Sequence, residues 1–253
     1  MFPLNQFNNK INKLGLDYKI IYKKKTGSTN DDALQKIKQK TFKENSLFIS
    51  DIQTNSRGRQ NKVWHNTPNL HLAFSLIMCP DIEPKKNGLV SLLSSVSIVD
   101  GLKEIFDKNF KIKWPNDIIY KNKKLAGILI ETKKVNNKLV FVIGIGININ
   151  EEIHDFPLEL KNNVTSLKII TKKNQKKEQV LLKILKNIQH NYRHINSIHS
   201  KWISHCKHID KHITFNFENK KINGKFLGIT QNGHAVIKIN NENHIFPNGE
   251  LSL

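Results

Sequence analysis

Between residues 87 and 106 the apolar positions Leu89, Leu92, Leu93, Val96, Val99, Leu102 and Phe106 recur every three or four residues, the spacing of one buried helix face. It is the strongest helix the sequence predicts, and its stripe needs a sheet or other helices to pack against. Ala33, Leu34 and Ile37 repeat the spacing over 30–40, behind Thr26-Gly27-Ser28-Thr29, whose hydroxyls suit a helix N-cap. Another amphipathic helix is predicted where Val180, Leu181, Ile184, Leu185 and Ile188 share a face. Runs rich in Leu, Ile and Phe at 46–52 and 70–78 read as strands, and the polar, basic stretch 53–69 between them must be a long loop. Loops of more than about a dozen residues inside a compact domain are usually functional or mobile, so length alone singles this one out.

Further along, the pattern places strands at 110–114, 117–120, 124–132 and 139–149, with Lys121-Asn122-Lys123 and Asn136-Asn137 as tight turns. Strands joined in this way run antiparallel. From 213 onward the texture changes to short alternating strands at 213–217, 225–229, 235–239 and 244–246, punctuated by Gly224, Gly233 and Gly249, as in a small barrel. The expected fold class is α+β: helices packed on a mainly antiparallel sheet over 1–206, and a compact all-β domain over 207–253. Lys172-Lys173-Asn174-Gln175-Lys176-Lys177 is expected to be an exposed loop.

Composition narrows the class without assigning a function. A chain of 253 residues with 38% hydrophobic content can bury roughly 70 to 75% of its unfolded surface, which argues against wholesale disorder and against a disulfide-knotted miniprotein. Cys79 and Cys206 are too isolated for a disulfide framework or a cysteine metal site. No run of about 18 apolar residues occurs, and Pro3 with several Asn and Lys interrupts the N-terminal segment. Neither a membrane span nor a secretory signal is expected, and the cytoplasm is the default location. Lys plus Arg number 41 against 21 Asp plus Glu, a net charge of +20, which raises nucleic acid as a partner. The lysines are spread over most segments, so the charge reads as general compositional bias rather than a binding stripe. His190, His194, His199, His205, His208 and His212 include pairs at four-residue spacing, an arrangement that can share a metal. With no carboxylates beside them they are expected to be exposed side chains.

Two segments concentrate chemistry. Ser56-Arg57-Gly58-Arg59-Gln60-Asn61-Lys62 lies in the long loop, where guanidinium forks suit phosphate or carboxylate oxygens and Gly58 lets backbone approach a ligand. A solvated basic loop and a minor-groove DNA hook fit the same tripeptide. Lys113-Trp114-Pro115-Asn116-Asp117, followed by Lys124-Leu125-Ala126-Gly127-Ile128-Leu129-Ile130-Glu131, gathers an indole, an amide, carboxylates and two lysines around a proline-fixed bend. Gly127 sits in a strand where a ligand can come close. Taken singly, Trp114 suits a core, Asn116-Asp117 a turn and Lys124 a surface; only their conjunction points to a site. Gly144-Ile145-Gly146-Ile147-Asn148 lacks the third glycine and the strand-to-helix junction of a dinucleotide fingerprint, and Gly27-Ser28-Thr29 lacks the ending of a P-loop.

In this order the motifs resemble the biotin protein ligase family, also called biotin–[acetyl-CoA carboxylase] ligase. Ser28-Thr29-Asn30 is similar to the family's Ser-Thr-Asn before its first helix, and Gln53 with Arg57-Gly58-Arg59 to its Gln and Gly-Arg-Gly-Arg loop. Trp64 resembles the tryptophan that follows that loop, while 113–117, 124–131 and 144–148 match three further motifs almost letter for letter. The resemblance covers roughly 26–167, and Gly228-Ile229 with Gly249-Glu250-Leu251-Ser252 is more loosely similar to the family's SH3-like C-terminal domain. Four departures stand in the loop: Ser56 and Asn61 where the family has glycines, and Gln60 and Lys62 where it has arginines. A stiffer loop with a weaker grip on anions is the predicted consequence. The stretch from Trp64 to Asn69 is about two residues shorter than the family spacing, and with Leu253 as the last residue no tail contacts are expected beyond the last barrel strand.

The resemblance implies a class II synthetase-like, biotin/lipoate ligase fold, with biotin and ATP as substrates and Mg²⁺ as cofactor. Biotin would be activated as biotinyl-5'-AMP and passed to a lysine of a biotin carboxyl carrier protein, the acetyl-CoA carboxylase subunit. It implies that Ser28, Thr29, Asn30, Gln53, Arg57, Gly58, Arg59, Lys124 and Gly127 contact biotin and that Arg59, Trp64, Asn116 and Asn148 contact the nucleotide. Lys124, Arg57, Arg59, Lys113 and Asp117 are then the catalytic candidates, with Lys124 on the reacting carboxylate and phosphate, and no protein-held metal site is assigned. Roughly 25 residues precede Ser28, too few for the winged helix-turn-helix of bifunctional members, so a monofunctional form is expected, with no DNA or membrane partner. Homodimerisation through a sheet edge rests on analogy with relatives. A lipoate or octanoate ligase would share scaffold and chemistry, and a non-catalytic nucleic-acid-binding protein would show salt-sensitive binding without ligand dependence.

Overall fold

A computed structural model describes residues 1–83, 86–218 and 220–252; Leu253 and the side chains of Asn61 and Ser252 lie outside the described residues. In chain order the elements are α1 (Leu4–Lys13), β1 (Lys19–Thr26), α2 (Thr29–Lys38), β2 (Ser46–Gln53), β3 (Leu72–Met78), α3 (Leu89–Lys103), β4 (Lys111–Lys113), β5 (Asp117–Tyr120), β6 (Lys123–Val135), β7 (Lys138–Ile147), α4 (Leu167–Thr171), α5 (Lys177–Arg193) and α6 (Ile198–His205). They are followed by β8 (Lys211–Phe217), β9 (Lys220–Ile229), β10 (Ala235–Ile239), β11 (Glu242–Phe246) and β12 (Glu250–Ser252).

The two anticipated hairpins form the centre of the first sheet. Lys121 and Asn122 have φ of 47° and 66°, and Asn136 and Asn137 have 47° and 62°. Such paired left-handed residues give a turn whose twist matches the strands it joins. The seven-stranded sheet runs β1-β2-β3-β7-β6-β5-β4 and is antiparallel throughout except for the parallel pair β1 and β2. On one face α3, α5 and α6 pack over a core that includes Leu93, Val96, Leu181, Ile184 and Trp202. On the other face α2 covers Phe48, Ile77, Val140 and Val142 with Ala33 and Ile37. The glycines of β6 and β7 lie on that same second face, beyond the part that α2 covers.

The second sheet runs β11-β10-β9-β8-β12. It curls on itself: Phe215 of β8 meets Phe246 of β11 with ring centroids 4.7 Å apart, although β9 and β10 separate those strands. One continuous buried cluster contains residues of both sheets, Trp114 and Ile112 alongside Phe215, Phe226 and Ile237. Trp114 Nε1 donates to Gly233 O at 2.9 Å and Trp114 N to His208 Nε2 at 3.4 Å, so the second sheet braces the bend between β4 and β5. Among the described residues no helix is long and apolar enough to cross a membrane.

Two expectations are corrected. Lys177, placed in an exposed loop by its lysine-rich surroundings, begins α5 and is 9% exposed. Its ammonium lies 2.9 Å from Asp51, which also accepts from Tyr22 Oη and Phe2 N. A buried carboxylate needs those partners, and the network ties the N-terminal helix to the sheet. His208, expected at the surface, is fully buried, because its ring is the acceptor for Trp114 N and packs edge-on against Phe226.

Burial holds the His208 imidazole down at about 3 and that of His71 at about 4, both from 6.5, while burial pushes the Glu151 carboxyl up from 4.5 to about 7. At a pH between 6.5 and 4.5 the unfolded chain therefore binds a proton on each histidine that the native state refuses. Native Glu151 holds a proton that the unfolded carboxyl releases. Over these three groups the unfolded state binds one proton more in net, a contribution that lowers native stability by about 1.4 kcal/mol per unit as the pH drops through this window; Glu104 and Glu250, held below 4.5, add to the fall at its lower edge. Glu151→Gln removes the opposing term and should steepen the fall towards about 2.7 kcal/mol per unit. Urea midpoints at three pH values test both slopes, and a flat wild-type profile would contradict neutral, buried histidines.

Candidate active site

At the carboxyl end of β2 the chain leaves the sheet and returns as a small flap. Gly58 N bonds Lys62 O at 2.7 Å, Arg57 and Val63 form an isolated bridge, and Trp64 N reaches Ser56 O at 3.3 Å. Ser56 closes the neck: its hydroxyl donates to Trp64 O at 2.7 Å and accepts from Asn66 Nδ2 at 2.5 Å. The side chain that replaces a family glycine thus cross-links the loop it was expected to stiffen. Gln60 takes the left-handed conformation at the tip, φ 53°.

Beneath this flap lies a cavity of about 290 Å³. Around it the fold brings together Ser28, Thr29, Asn30, Gln53, Arg57, Gly58, Arg59, Trp64, Lys113, Asn116, Asp117, Lys124, Gly127 and Asn148, every position singled out in the sequence. They come from the start of α2, the end of β2, the flap, the β4–β5 bend, β6 and the end of β7. Its floor is the sheet itself. Gly127 and Gly146 are direct partners across β6 and β7, and a Cβ on either would fall 2.9 Å or 2.6 Å from the Trp64 ring lying on them.

One end of the cleft is neutral and rich in hydrogen-bonding groups. Ser28 is 4% exposed and occupies the N-cap position of α2 without making a capping bond. Thr29 N donates to Gln53 Oε1 at 2.8 Å, which fixes the carboxamide across the β2 terminus. The opposite end is cationic. Lys124 Nζ lies 2.7 Å from Asp117 Oδ1 and 5.3 Å over the Trp64 ring. Among the described residues Arg59 and Lys113 have no carboxylate within ion-pair distance. Burial, opposed by Asp117 and Glu250, holds both below their ordinary values. Cations desolvated without direct counter-ions are relieved by an incoming anion.

The amides are fixed by backbone. Asn116 Nδ2 donates to Ile128 O at 2.8 Å while Ile128 N donates to Asn116 O, so Asn116 extends the ladder between β5 and β6. Arg59 Nη1 approaches Asn116 Oδ1 at 3.5 Å. Asn148, 3% exposed, donates to Thr165 O at 2.9 Å. Arg57 is placed otherwise than the sequence suggested: its guanidinium pairs with Asp31 and Glu131 at 2.7 and 3.1 Å.

Sequence reasoning missed several participants. Gly249 and Glu250 of the second sheet reach the cleft, and Glu250 bridges Lys62 of the flap at 2.7 Å. Ser75 of β3 donates to Thr29 Oγ1 or Asn30 Oδ1 from below. Glu131 was quoted within a motif, and its position there was the signal that it faces the cleft side of β6.

Comparison with known proteins places these features in context. Residues 22–148 match the profile of the biotin/lipoate A/B protein ligase family. The chain is 34% identical over 203 residues to the bifunctional ligase/repressor BirA of Bacillus subtilis, covering 78% of this chain and 62% of that protein. It is 29% identical over 146 residues to the biotin–[acetyl-CoA-carboxylase] ligase of Mycobacterium tuberculosis, 56% of this chain and 52% of that one. The chain thus spans less than two thirds of the length of both relatives. Among solved structures, the biotin protein ligase from Aquifex aeolicus in complex with biotin and ATP superimposes with a TM-score of 0.79 at 30% identity, covering 92% of this chain and 97% of that one.

Proposed function

This chain belongs to the biotin/lipoate A/B protein ligase family, and from that premise we propose that it is an ATP-dependent ligase that activates biotin as biotinyl-5'-AMP and transfers it to a lysine of a biotin carboxyl carrier protein. The observation that carries this reading is the two-ended cleft: neutral hydrogen-bonding groups at Ser28, Thr29 and Gln53, a glycine floor, and cations at Arg59, Lys113 and Lys124. An uncharged ureido head, a thin apolar body and a carboxylate meeting a triphosphate have that order of demands. The Aquifex aeolicus structure, which holds biotin and ATP, supports it.

A carboxylate is inert towards an amine at neutral pH. In the proposed first step its oxygen attacks the α-phosphorus of ATP, the bond to the β-phosphate oxygen breaks, and pyrophosphate leaves. Negative charge accumulates there, and preorganised cations in a water-excluded site stabilise it. In this reading Lys124 holds the carboxylate and reacting phosphate, and its 2.7 Å contact with Asp117, which orients the ammonium, supports that role. In the same reading Asn116 and Asn148, which line the cavity, contact the nucleotide. The carrier lysine then attacks the acyl carbon and AMP departs, under a flap that excludes water.

Oxygen donors suit Mg²⁺, and Asp117 and Glu250 are the carboxylates that line the cleft. Asp117 is already charge-matched by Lys124, so ATP phosphates and water would complete the shell of an ion that neutralises the departing pyrophosphate. The reading includes a cytoplasmic location and a division into a ligase domain at 1–206 and a C-terminal domain at 207–253.

Biotin-dependent exchange of labelled pyrophosphate into ATP tests the first half-reaction without a carrier. Exchange with biotin, and not with lipoate or octanoate, is the expected result. Exchange with either other acid alone would move the reading to that ligase, and exchange with none, from folded protein, would sink it.

A further inference from the structure

The arginine nearest the flap's neck is not facing the cationic end of the cleft. One nitrogen of Arg57, Nη2, lies 2.7 Å from Asp31 Oδ1 and 3.1 and 3.2 Å from the two oxygens of Glu131. A terminal guanidinium nitrogen carries two N–H groups, so both carboxylates are served by the one atom. Glu131 is itself fixed, because Asn30 Nδ2 donates to its Oε2 at 2.8 Å. Asn30 is 4% exposed and fits a notch over Gly144, where a Cβ would fall 2.2 Å from Asn30 Oδ1. The chain of contacts thus runs from the bare glycine of β7, through a buried amide and the β6 carboxylate, to the flap.

With two carboxylates beside it, Arg57 has no charge left for a phosphate, and a third anion there would be repelled. Its position explains what it does instead. Ser56 and the Arg57–Val63 bridge make the flap an internally bonded unit. At its neck the main chain is tied to the body by Thr54 N to Thr26 O and Asn55 N to Gly27 O. The Arg57 contacts are the charged link between that unit and α2 and β6, the elements that carry Thr29 and Gly127.

We propose that Asp31 and Glu131 are positioning residues that clasp Arg57 and hold the neck of the flap beside the neutral end of the cleft, so that Arg57 acts as the flap's anchor rather than as a phosphate ligand. Exposed ion pairs contribute little one at a time. This one is a shared network with a buried amide behind it, and its consequence is the geometry of the flap rather than global stability. The kinetic part of the proposal rests on the biotin ligase reading; the structural part does not.

The test uses the full chain with Asp31→Asn and Glu131→Gln combined, isosteric changes that keep the side-chain volumes. Arg59 and Lys62 are trypsin sites within the flap. In the absence of ligand, cleavage after them, mapped by mass spectrometry, should be at least about tenfold faster in the double variant, with thermal unfolding unchanged. In pyrophosphate exchange the KM for biotin should rise about tenfold or more while the KM for ATP stays within about threefold, a loss of uniform binding at one end of the cleft. Single Glu131→Asp, which keeps the charge, should retain most of the protection. Equal protection of the flap in wild type and double variant would overturn the proposal, as would a fall in kcat with an unchanged biotin KM. If wild type shows no exchange with any acid, the ligase reading fails on its own, and the proteolysis arm still decides the clasp.

Discussion

Lys124→Ala should abolish biotinyl-adenylate formation while leaving the protein folded. The backbone of Lys124 is held independently of its side chain, its N–H by Asn163 O at 2.8 Å and its carbonyl by Thr165 N at 2.9 Å. The side chain is a third exposed and not part of the core. Its loss leaves Asp117 without its nearest cation, but Arg59 and Lys113 remain near enough to interact with the same carboxylate. What disappears is an ammonium beside the glycine floor, 3.4 Å from where a Cβ on Gly127 would lie, where in the proposed mechanism the carboxylate meets the α-phosphorus. Removing a single preorganised charge-stabilising group typically costs about 10² to 10³ in rate. A cation that also binds the ground-state carboxylate should exceed that, so a fall of at least about 10³ in exchange is expected, near 4 kcal/mol of transition-state stabilisation. Lys124→Arg should recover little, because a longer planar fork cannot take the place of a compact ammonium held 2.7 Å from Asp117 Oδ1. Adenylate formed at the wild-type rate by a folded Lys124→Ala protein would remove Lys124 from the mechanism and with it the proposed orientation of the ligand.

Much of the first sheet could be read from local rules because its central strands are joined by hairpins. Asn-rich dipeptides at 121–122 and 136–137 carry their own turn geometry, and the helix stripe of α3 declares itself by spacing. The N-terminal part was not legible. β1 pairs only with β2, in parallel, and its sequence KIIYKKKT puts lysines where a buried strand would have apolar residues. As an edge strand it needs no apolar second face, so alternation fails as a signal. α1 buries only Phe7 and Ile11 and depends on Asp51, far along the chain, for the anchor at Phe2. The parts of the site carried by unusual residue combinations were gathered by motif. Asp31 and Ser75 were not, since a lone carboxylate or hydroxyl beside a motif looks like any surface group until its distant partner is known, and Glu250 was quoted only for the C-terminal domain, not for the cleft. Arg57 shows the same limit from the other side: its identity was legible, but which anion it meets depends on α2 and β6 lying side by side.

Trp114→Ala should be the most destabilising single change, and the shape of its unfolding curve bears on how the two sheets are related. Trp114 is 2% exposed, sits 5.8 Å from Phe215 of β8 and donates to Gly233 O between β9 and β10. Truncating a buried tryptophan typically costs about 3 to 5 kcal/mol, a large part of the roughly 5 to 15 kcal/mol that holds a domain together. Because the buried cluster runs unbroken from the first sheet into the second, the loss should fall on one cooperative transition. Far-UV and near-UV signals are expected to shift together in the variant and to coincide in wild type. On this view the boundary near 206 separates two sheets but not two folding units, and the C-terminal domain braces Lys113, Asn116 and Asp117 through the bend that carries Trp114. Trp114→Phe keeps most of the packing but strands the Gly233 carbonyl, so a cost nearer about 1 to 3 kcal/mol is expected. Exchange activity in that variant, measured well below its melting temperature, should fall further than its stability explains, because the lysine, amide and carboxylate on either side of the indole lose their register with the cleft. Two separate transitions in wild type, with only one displaced by Trp114→Ala, would instead make the second sheet an independent unit and take the bracing role away from it.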